Sequence, residues 1–206
     1  MVVIDRGGDM RDNALRAIWD EQGAALGGWL TVPSSVSAEI MAHAGFDWVC
    51  VDMQHGLIDY AQMVHMLQGI SSAHTVPVVR VPRNEPGIIG KSLDAGAWGI
   101  IVPMVNSQQE AEEAVAACRY APLGIRSYGP LRANYSAGFD YFERANRQVA
   151  CIVMVETRVA VDNVEAIVSV PGVDAVYIGP ADLSVTLSLS PAPDHAEPSF
   201  TDALER

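Results

Sequence analysis

The sequence predicts an α/β domain of repeated strand–helix units, and among such folds a (β/α)8 barrel rather than a doubly wound sheet. Three observations carry this. Short apolar runs alternate with helical patterns along the whole chain. These runs are built of Val, Ile and Ala with little polar alternation, as in strands buried on both faces. The polar residues suited to chemistry fall at or just past the C-terminal ends of several strands, where barrel enzymes assemble their sites. A doubly wound sheet would gather them near one switch point.

Taken in order, positions 11–22 read as an amphipathic leading helix. A first strand is predicted over 29–32, and Ser34 or Ser35 opens the helix of SSVSAEIMAHAG. The second strand, 48–52, ends in Asp52 and runs into MQHG with His55. Asp59 opens DYAQMVHMLQGIS, and a third strand over 78–81 carries Arg80 at its end. The fourth strand, 99–102, leads to Pro103, after which Ser107 opens SQQEAEEAVAACRY with acidic residues in its early turns. Positions 119–136, RYAPLGIRSYGPLRANYS, are rich in Gly, Pro and Arg, the composition of a lid or binding loop. Arg126 and Arg132 in that run either grip an anionic substrate or serve the loop's own structure. The fifth strand, 151–155, precedes Glu156, and Thr157 opens TRVAVDNVEAIVS. The sixth, 175–178, leads into GPADL with Asp182, followed by a Pro-rich tail. Gly45, Gly96 and Gly172 each stand at a helix end with an apolar strand soon after, the place of a left-handed cap.

With 206 residues, half of them hydrophobic and 18% charged, the chain has the means to bury a core as one domain over 1–206. A net charge of −12 argues against a nucleic-acid surface, which needs clustered Lys and Arg. Neither G-x-G-x-x-G nor a P-loop follows the first strand. No apolar run reaches the roughly 18 residues of a membrane span, and the opening MVVIDRGGDMRDNALRAIWDEQG lacks a signal-peptide apolar region. A cytoplasmic protein without nucleic-acid or membrane partners is the expectation. Cys50, Cys118 and Cys151 are far apart and odd in number, as buried reduced thiols are. Lys91 is the only lysine, so Schiff-base catalysis, which needs a lysine amine, stands or falls on it.

Glu156 and Asp182 end consecutive strands, which lie about 4.8 Å apart in a sheet. Two carboxylates at one height can share a hard divalent ion, which would keep waters and substrate oxygens in the rest of its shell. Alone, either is as well read as a helix cap or an ion-pair partner. His55, in a short turn, suits a general base or proton relay. Arg80 ends an otherwise apolar strand, and its guanidinium needs a partner: a substrate carboxylate, a developing enolate oxygen, or an ion pair with Asp52 or Glu156. Asp94, in the helix after the third strand, would accept from an imidazole or sit on the helix surface. His43, His65, His74 and His195 read as packing or solvated residues.

GFDWVCVDMQHG, VPVVRVP, LDAGAWGIIVPMV, RYAPLGIRSYGP, VMVETRVAVDN and PGVDAVYIGPADLS resemble, in this order, the motifs of the HpcH/HpaI family of class II pyruvate aldolases. That family includes 4-hydroxy-2-oxoheptanedioate aldolase and 2-keto-3-deoxy sugar-acid aldolases. The resemblance runs over about 28–193. It implies a (β/α)8 TIM barrel of the pyruvate/phosphoenolpyruvate type and a divalent metal, Mg2+, Mn2+ or Co2+, held by Glu156 and Asp182. It makes His55 the acid/base, Asp94 its polariser and Arg80 the stabiliser of an enolate. Gly179, Pro180 and Ala181, with Asp182, would bind the pyruvate carboxylate. Where the family often has a substrate-touching glutamine, this chain has Met154. The implied reaction is reversible cleavage of a 4-hydroxy-2-oxo acid to pyruvate and an aldehyde through a metal-bound enolate. A citrate lyase β-like carbon–carbon lyase of malyl-CoA type, or a family member that binds metal and 2-oxo acid without turnover, are the alternatives. Homo-oligomers, trimers or hexamers, are implied as well. Six strands precede the tail, so the barrel is expected to lack two βα units at its C-terminal end.

Overall fold

The computed structural model describes residues 12–206. Residues 1–11, the first residue of the predicted leading helix among them, lie outside the described residues. In chain order the elements are α1 (Ala14–Asp20), β1 (Gly27–Leu30), α2 (Ser35–Ala42), β2 (Trp48–Asp52), α3 (Tyr60–Ile70), β3 (Val76–Arg80), α4 (Pro86–Asp94) and β4 (Gly99–Val102). They continue with α5 (Gln108–Cys118), α6 (Ala133–Ala137), α7 (Tyr141–Gln148), β5 (Ala150–Val155), α8 (Arg158–Asp162), α9 (Val164–Val168), β6 (Ala175–Ile178), α10 (Pro180–Thr186) and α11 (Pro198–Glu205).

The six strands form one parallel sheet in sequential order, β1 to β6. Register sets Asp52 beside Arg80, Arg80 beside Ile101, and Ile101 beside Ile152, so these side chains share one face. On that face Trp29 of β1 and Tyr177 of β6, from opposite ends of the sheet, bring their rings within 5.3 Å. The sheet is therefore curled into most of a barrel, with helices on its outer side. Outward residues such as Val49, Val51, Val79, Ile100, Val102 and Val153 are buried beneath those helices. Val176 and Ile178 on β6 stay 36% and 46% exposed, so the helical cover thins at that edge.

All four sequence-predicted helix caps form. Ser34, Asp59, Ser107 and Thr157 each accept a backbone N–H of the first turn, and Asp59 completes a capping box with Gln62. Gly45, Gly96 and Gly172 have φ of +93°, +104° and +100°, the left-handed caps that their spacing implied. The three cysteines are buried and unbridged. Among the described residues, no helix is long and apolar enough to cross a membrane.

The run over 119–136 is not an open loop. Arg119 and Tyr120 tie it down, α6 begins within it, and α7 follows. Arg126 is buried, donating to Asp94 Oδ1 at 2.7 Å and to the Tyr141 hydroxyl at 3.0 Å. Arg132 donates to the Ala95 and Leu67 carbonyls and the Ser71 hydroxyl, which close the ends of α3 and α4. Both guanidiniums thus serve the loop's own structure, the second of the two readings above. The Pro-rich tail also folds back as α11, anchored by the buried Phe200. His195, read above as packing or surface, packs edge-on against that ring.

Candidate active site

The C-terminal ends of the strands converge on one polar cluster. Asp52, the last residue of β2, is buried. Its Oδ1 accepts from Arg80 Nε at 2.9 Å and from the backbone N–H groups of Gln54 and His55 at 3.0 and 3.3 Å. Its Oδ2 accepts from Arg80 Nη2 at 2.5 Å and Trp29 Nε1 at 3.2 Å. Burial pushes the Asp52 pKa up, but the hydrogen bonds from Arg80 and Trp29 more than offset this and hold it below the usual value. For Arg80, burial favours the neutral form, and Asp52 reverses the sign, so the guanidinium is charged more firmly than usual. The ion pair with Asp52 that the sequence left open is therefore formed, while Arg80 also lies 4.9 Å from the Trp29 ring centroid.

Glu156 follows β5 directly and is buried, 1% exposed. Its Oε1 accepts the Met104 N–H at 2.7 Å. Met104 holds φ at +58°, a left-handed conformation that side chains rarely adopt, in order to present that amide. The other oxygen, Oε2, faces Gly179, where an added Cβ would come within 2.6 Å of it. Burial raises the Glu156 pKa, and the negative charge of Asp182 adds to the rise; the Met104 amide, Arg80 and His55 offset part of it. Asp182 is exposed, in the first turn of α10. Among the described residues, neither carboxylate has an ion-pair partner within 4.0 Å, and no cluster of three or more His, Cys, Asp and Glu residues forms. A buried carboxylate with a raised pKa, a second carboxylate beside it and no internal cation is a donor set that fits a divalent ion completing its shell from water or substrate.

His55 is exposed on the turn after β2, close enough to Glu156 to lower its pKa. Asp94, at the end of α4, spends Oδ1 on Arg126, and no hydrogen bond joins it to His55; its Oδ2 lies over Gly129. Of the run expected to cradle a carboxylate, Gly179 to Asp182, two residues offer no free N–H. The Gly179 N–H already donates to the Val155 carbonyl at 3.2 Å, and Pro180 has no N–H to give. Ala181 and Asp182 open the helix, and their N–H groups have no acceptor in the chain among the described residues. The structure thus joins Asp52, His55, Arg80, Glu156 and Asp182 at one end of the sheet. It adds Met104 and Trp29, which sequence reasoning missed because one acts through its backbone and the other is an aromatic residue within the neighbouring strand β1.

A family model described as HpcH/HpaI aldolase/citrate lyase matches residues 26–206. A hydroxypyruvate/pyruvate aldolase of Rhizorhabdus wittichii is 42% identical over 93% of this chain and 76% of its own length. A 2-dehydro-3,6-dideoxy-6-sulfogluconate aldolase of Pseudomonas putida is 38% identical over 90% of this chain and 74% of its own. Among solved structures, an HpcH/HpaI aldolase/citrate lyase family protein from Burkholderia cenocepacia superimposes with a TM-score of 0.85 at 37% identity, over 94% of this chain and 78% of that one.

Proposed function

The chain belongs to the HpcH/HpaI aldolase/citrate lyase family, and from that premise we propose that it is a metal-dependent aldolase releasing pyruvate from a 4-hydroxy-2-oxo acid. One observation carries the reading: the buried, cation-free Glu156 carboxylate beside Asp182, at the same sheet end as Arg80 and His55. The names of the relatives support a pyruvate-type unit as one half of the reaction.

Glu156 and Asp182 would hold a divalent cation such as Mg2+, Mn2+ or Co2+, which would supply Lewis-acid polarisation of the substrate's 2-oxo group. The Ala181 and Asp182 amides bind the substrate carboxylate. His55 takes the proton from the 4-hydroxyl as the C3–C4 bond breaks, and returns one to C3 to give pyruvate; condensation runs these transfers in reverse. Arg80 turns its remaining N–H groups to the oxygen on which enolate charge develops, where a fixed donor in a half-buried site is most effective. Asp94, which the family resemblance makes the polariser of His55, is bonded through Oδ1 to Arg126 and not to His55. Lys91 takes no part; it lies in α4 with its ammonium 4.1 Å from the Tyr60 ring centroid.

The test is pyruvate formation from 4-hydroxy-2-oxo acids in the presence of Mg2+, Mn2+ or Co2+. Turnover is expected with metal, lost in EDTA, restored on reloading and absent in Glu156→Gln. Turnover that survives complete metal removal overturns the proposal.

A further inference from the structure

We propose that Asp52 is the positioning residue of this site, locking the Arg80 guanidinium and the turn that carries His55 into one unit. The inference rests on the roles given to Arg80 and His55 above, and it goes beyond them by naming what sets their relative placement. Five donors from three strand ends meet the two oxygens of this buried carboxylate: Arg80 Nε and Nη2, Trp29 Nε1, and the Gln54 and His55 amides. A carboxylate that merely neutralised Arg80 would need only the two guanidinium bonds.

The geometry has a directional consequence. A guanidinium is planar, so fixing Nε and Nη2 on the two oxygens of one carboxylate fixes its plane and leaves Nη1 as the free edge. That edge meets Met154, whose sulfur is 4.0 Å from Nη1 and a weak acceptor. The Trp29 ring lies 4.9 Å from the guanidinium carbon and restrains its tilt. The same Oδ1 gathers the N–H groups of residues 54 and 55, so the turn that presents His55 hangs from the atom that aims Arg80. A shift of Asp52 therefore moves the acid/base and the enolate donor together.

Asp52→Asn separates this role from plain charge neutralisation. An asparagine keeps one acceptor for the turn amides but sets its own NH2 against donors, Arg80 Nη2 and Trp29 Nε1. In the Mn2+-loaded protein, kcat for pyruvate release is expected to fall by ~10–100-fold, the scale of a lost charge-assisted hydrogen bond. In an Arg80→Ala background the same substitution is expected to cost less than about threefold more, since coupled residues are not additive. Asp52→Glu keeps the charge but lengthens the arm, and is expected to lose kcat by at least about tenfold. Additive losses in the cycle, or near-parental kcat in Asp52→Glu, overturn the proposal. The Arg80 Nε–H resonance in a nitrogen–proton NMR spectrum reads the unit without any turnover. It is expected to be sharp in the parent and lost or shifted in Asp52→Asn, and an unmoved signal overturns the proposal. Should the parent release no pyruvate with metal, the aldolase reading fails, and this resonance alone decides the role of Asp52.

Discussion

Replacing Glu156 by Gln is expected to stabilise the metal-free protein and to destabilise the metal-loaded one relative to the parent. Burying an ionised carboxylate costs several kcal/mol after relaxation. The Met104 N–H at 2.7 Å recovers part of this, as does attraction from Arg80 and His55, yet the pKa of Glu156 remains raised, so a net penalty survives. A glutamine keeps an oxygen for the Met104 amide and carries no charge toward Asp182. A gain on the order of 1 kcal/mol follows, the scale of buried polar groups in mutational data. For a chain of this length that is about 2–4 °C in Tm. On the proposed function, metal at 100 times its Kd would stabilise the parent by about 2.7 kcal/mol, and a variant without the proposed ligand would forgo this. The two melting curves should therefore exchange order between EDTA and Mn2+.

The sign in pH follows from linkage. The folded protein holds the Glu156 proton more tightly than the unfolded chain, so the penalty is absent below the ordinary Glu pKa and complete above the raised folded one. Parent and variant should melt together near pH 4 in EDTA and separate as pH rises. Circular dichroism melts from pH 4 to 8, with and without Mn2+, measure all of this. A variant that melts below the parent in EDTA at neutral pH, or that keeps the parent's Mn2+ shift, refutes the reasoning.

Two further substitutions probe the same frame. Gly179→Ala drives a methyl to within 2.6 Å of the Glu156 Cβ and Oε2, so Mn2+ affinity measured by calorimetry should fall ~10–100-fold, as it does when groups supporting a ligand are disturbed; unchanged affinity would contradict the placement of Oε2. Lys91→Met should keep pyruvate release within about threefold and lose at most ~1 kcal/mol of stability, the value of its contact with Tyr60. Borohydride with pyruvate should leave no adduct on the parent by mass spectrometry, and a trapped adduct at Lys91 would replace the metal-dependent scheme.

What was legible in the sequence is what side-chain type and period encode. The six strands are uninterrupted apolar runs, and the four caps are side chains that bond backbone within three residues, so both are local signals. His55, Arg80, Glu156 and Asp182 stood out as polar residues at the ends of apolar strands. Partners were not legible. Arg126 lies among prolines and glycines like a lid residue, yet its contacts are Asp94 and Tyr141, on two different helices. Helix α7 shows only Tyr141 and Ala145 as its apolar stripe, too little for a periodic signal, and it forms because those two residues pack into the core.

The deeper limit is that much of this site is backbone. The motif reading assigned the carboxylate cradle to Gly179, Pro180, Ala181 and Asp182, but Gly179 spends its N–H on Val155 and Pro180 has none, which leaves the Ala181 and Asp182 amides as the free donors of that run among the described residues. The same holds at Glu156. No side chain near it in sequence explains its orientation; the Met104 amide does, from the end of a different strand. Met104 holds φ at +58° to do so, a conformation costing roughly 1 kcal/mol or more for a non-glycine residue. Such strain persists only where the surroundings dictate it. Here the surrounding demand is a buried carboxylate whose one donor among the described residues is that amide. The strained backbone at Met104 and the raised pKa of Glu156 are therefore two sides of one arrangement, a buried carboxylate held in place by the fold and left short of positive charge.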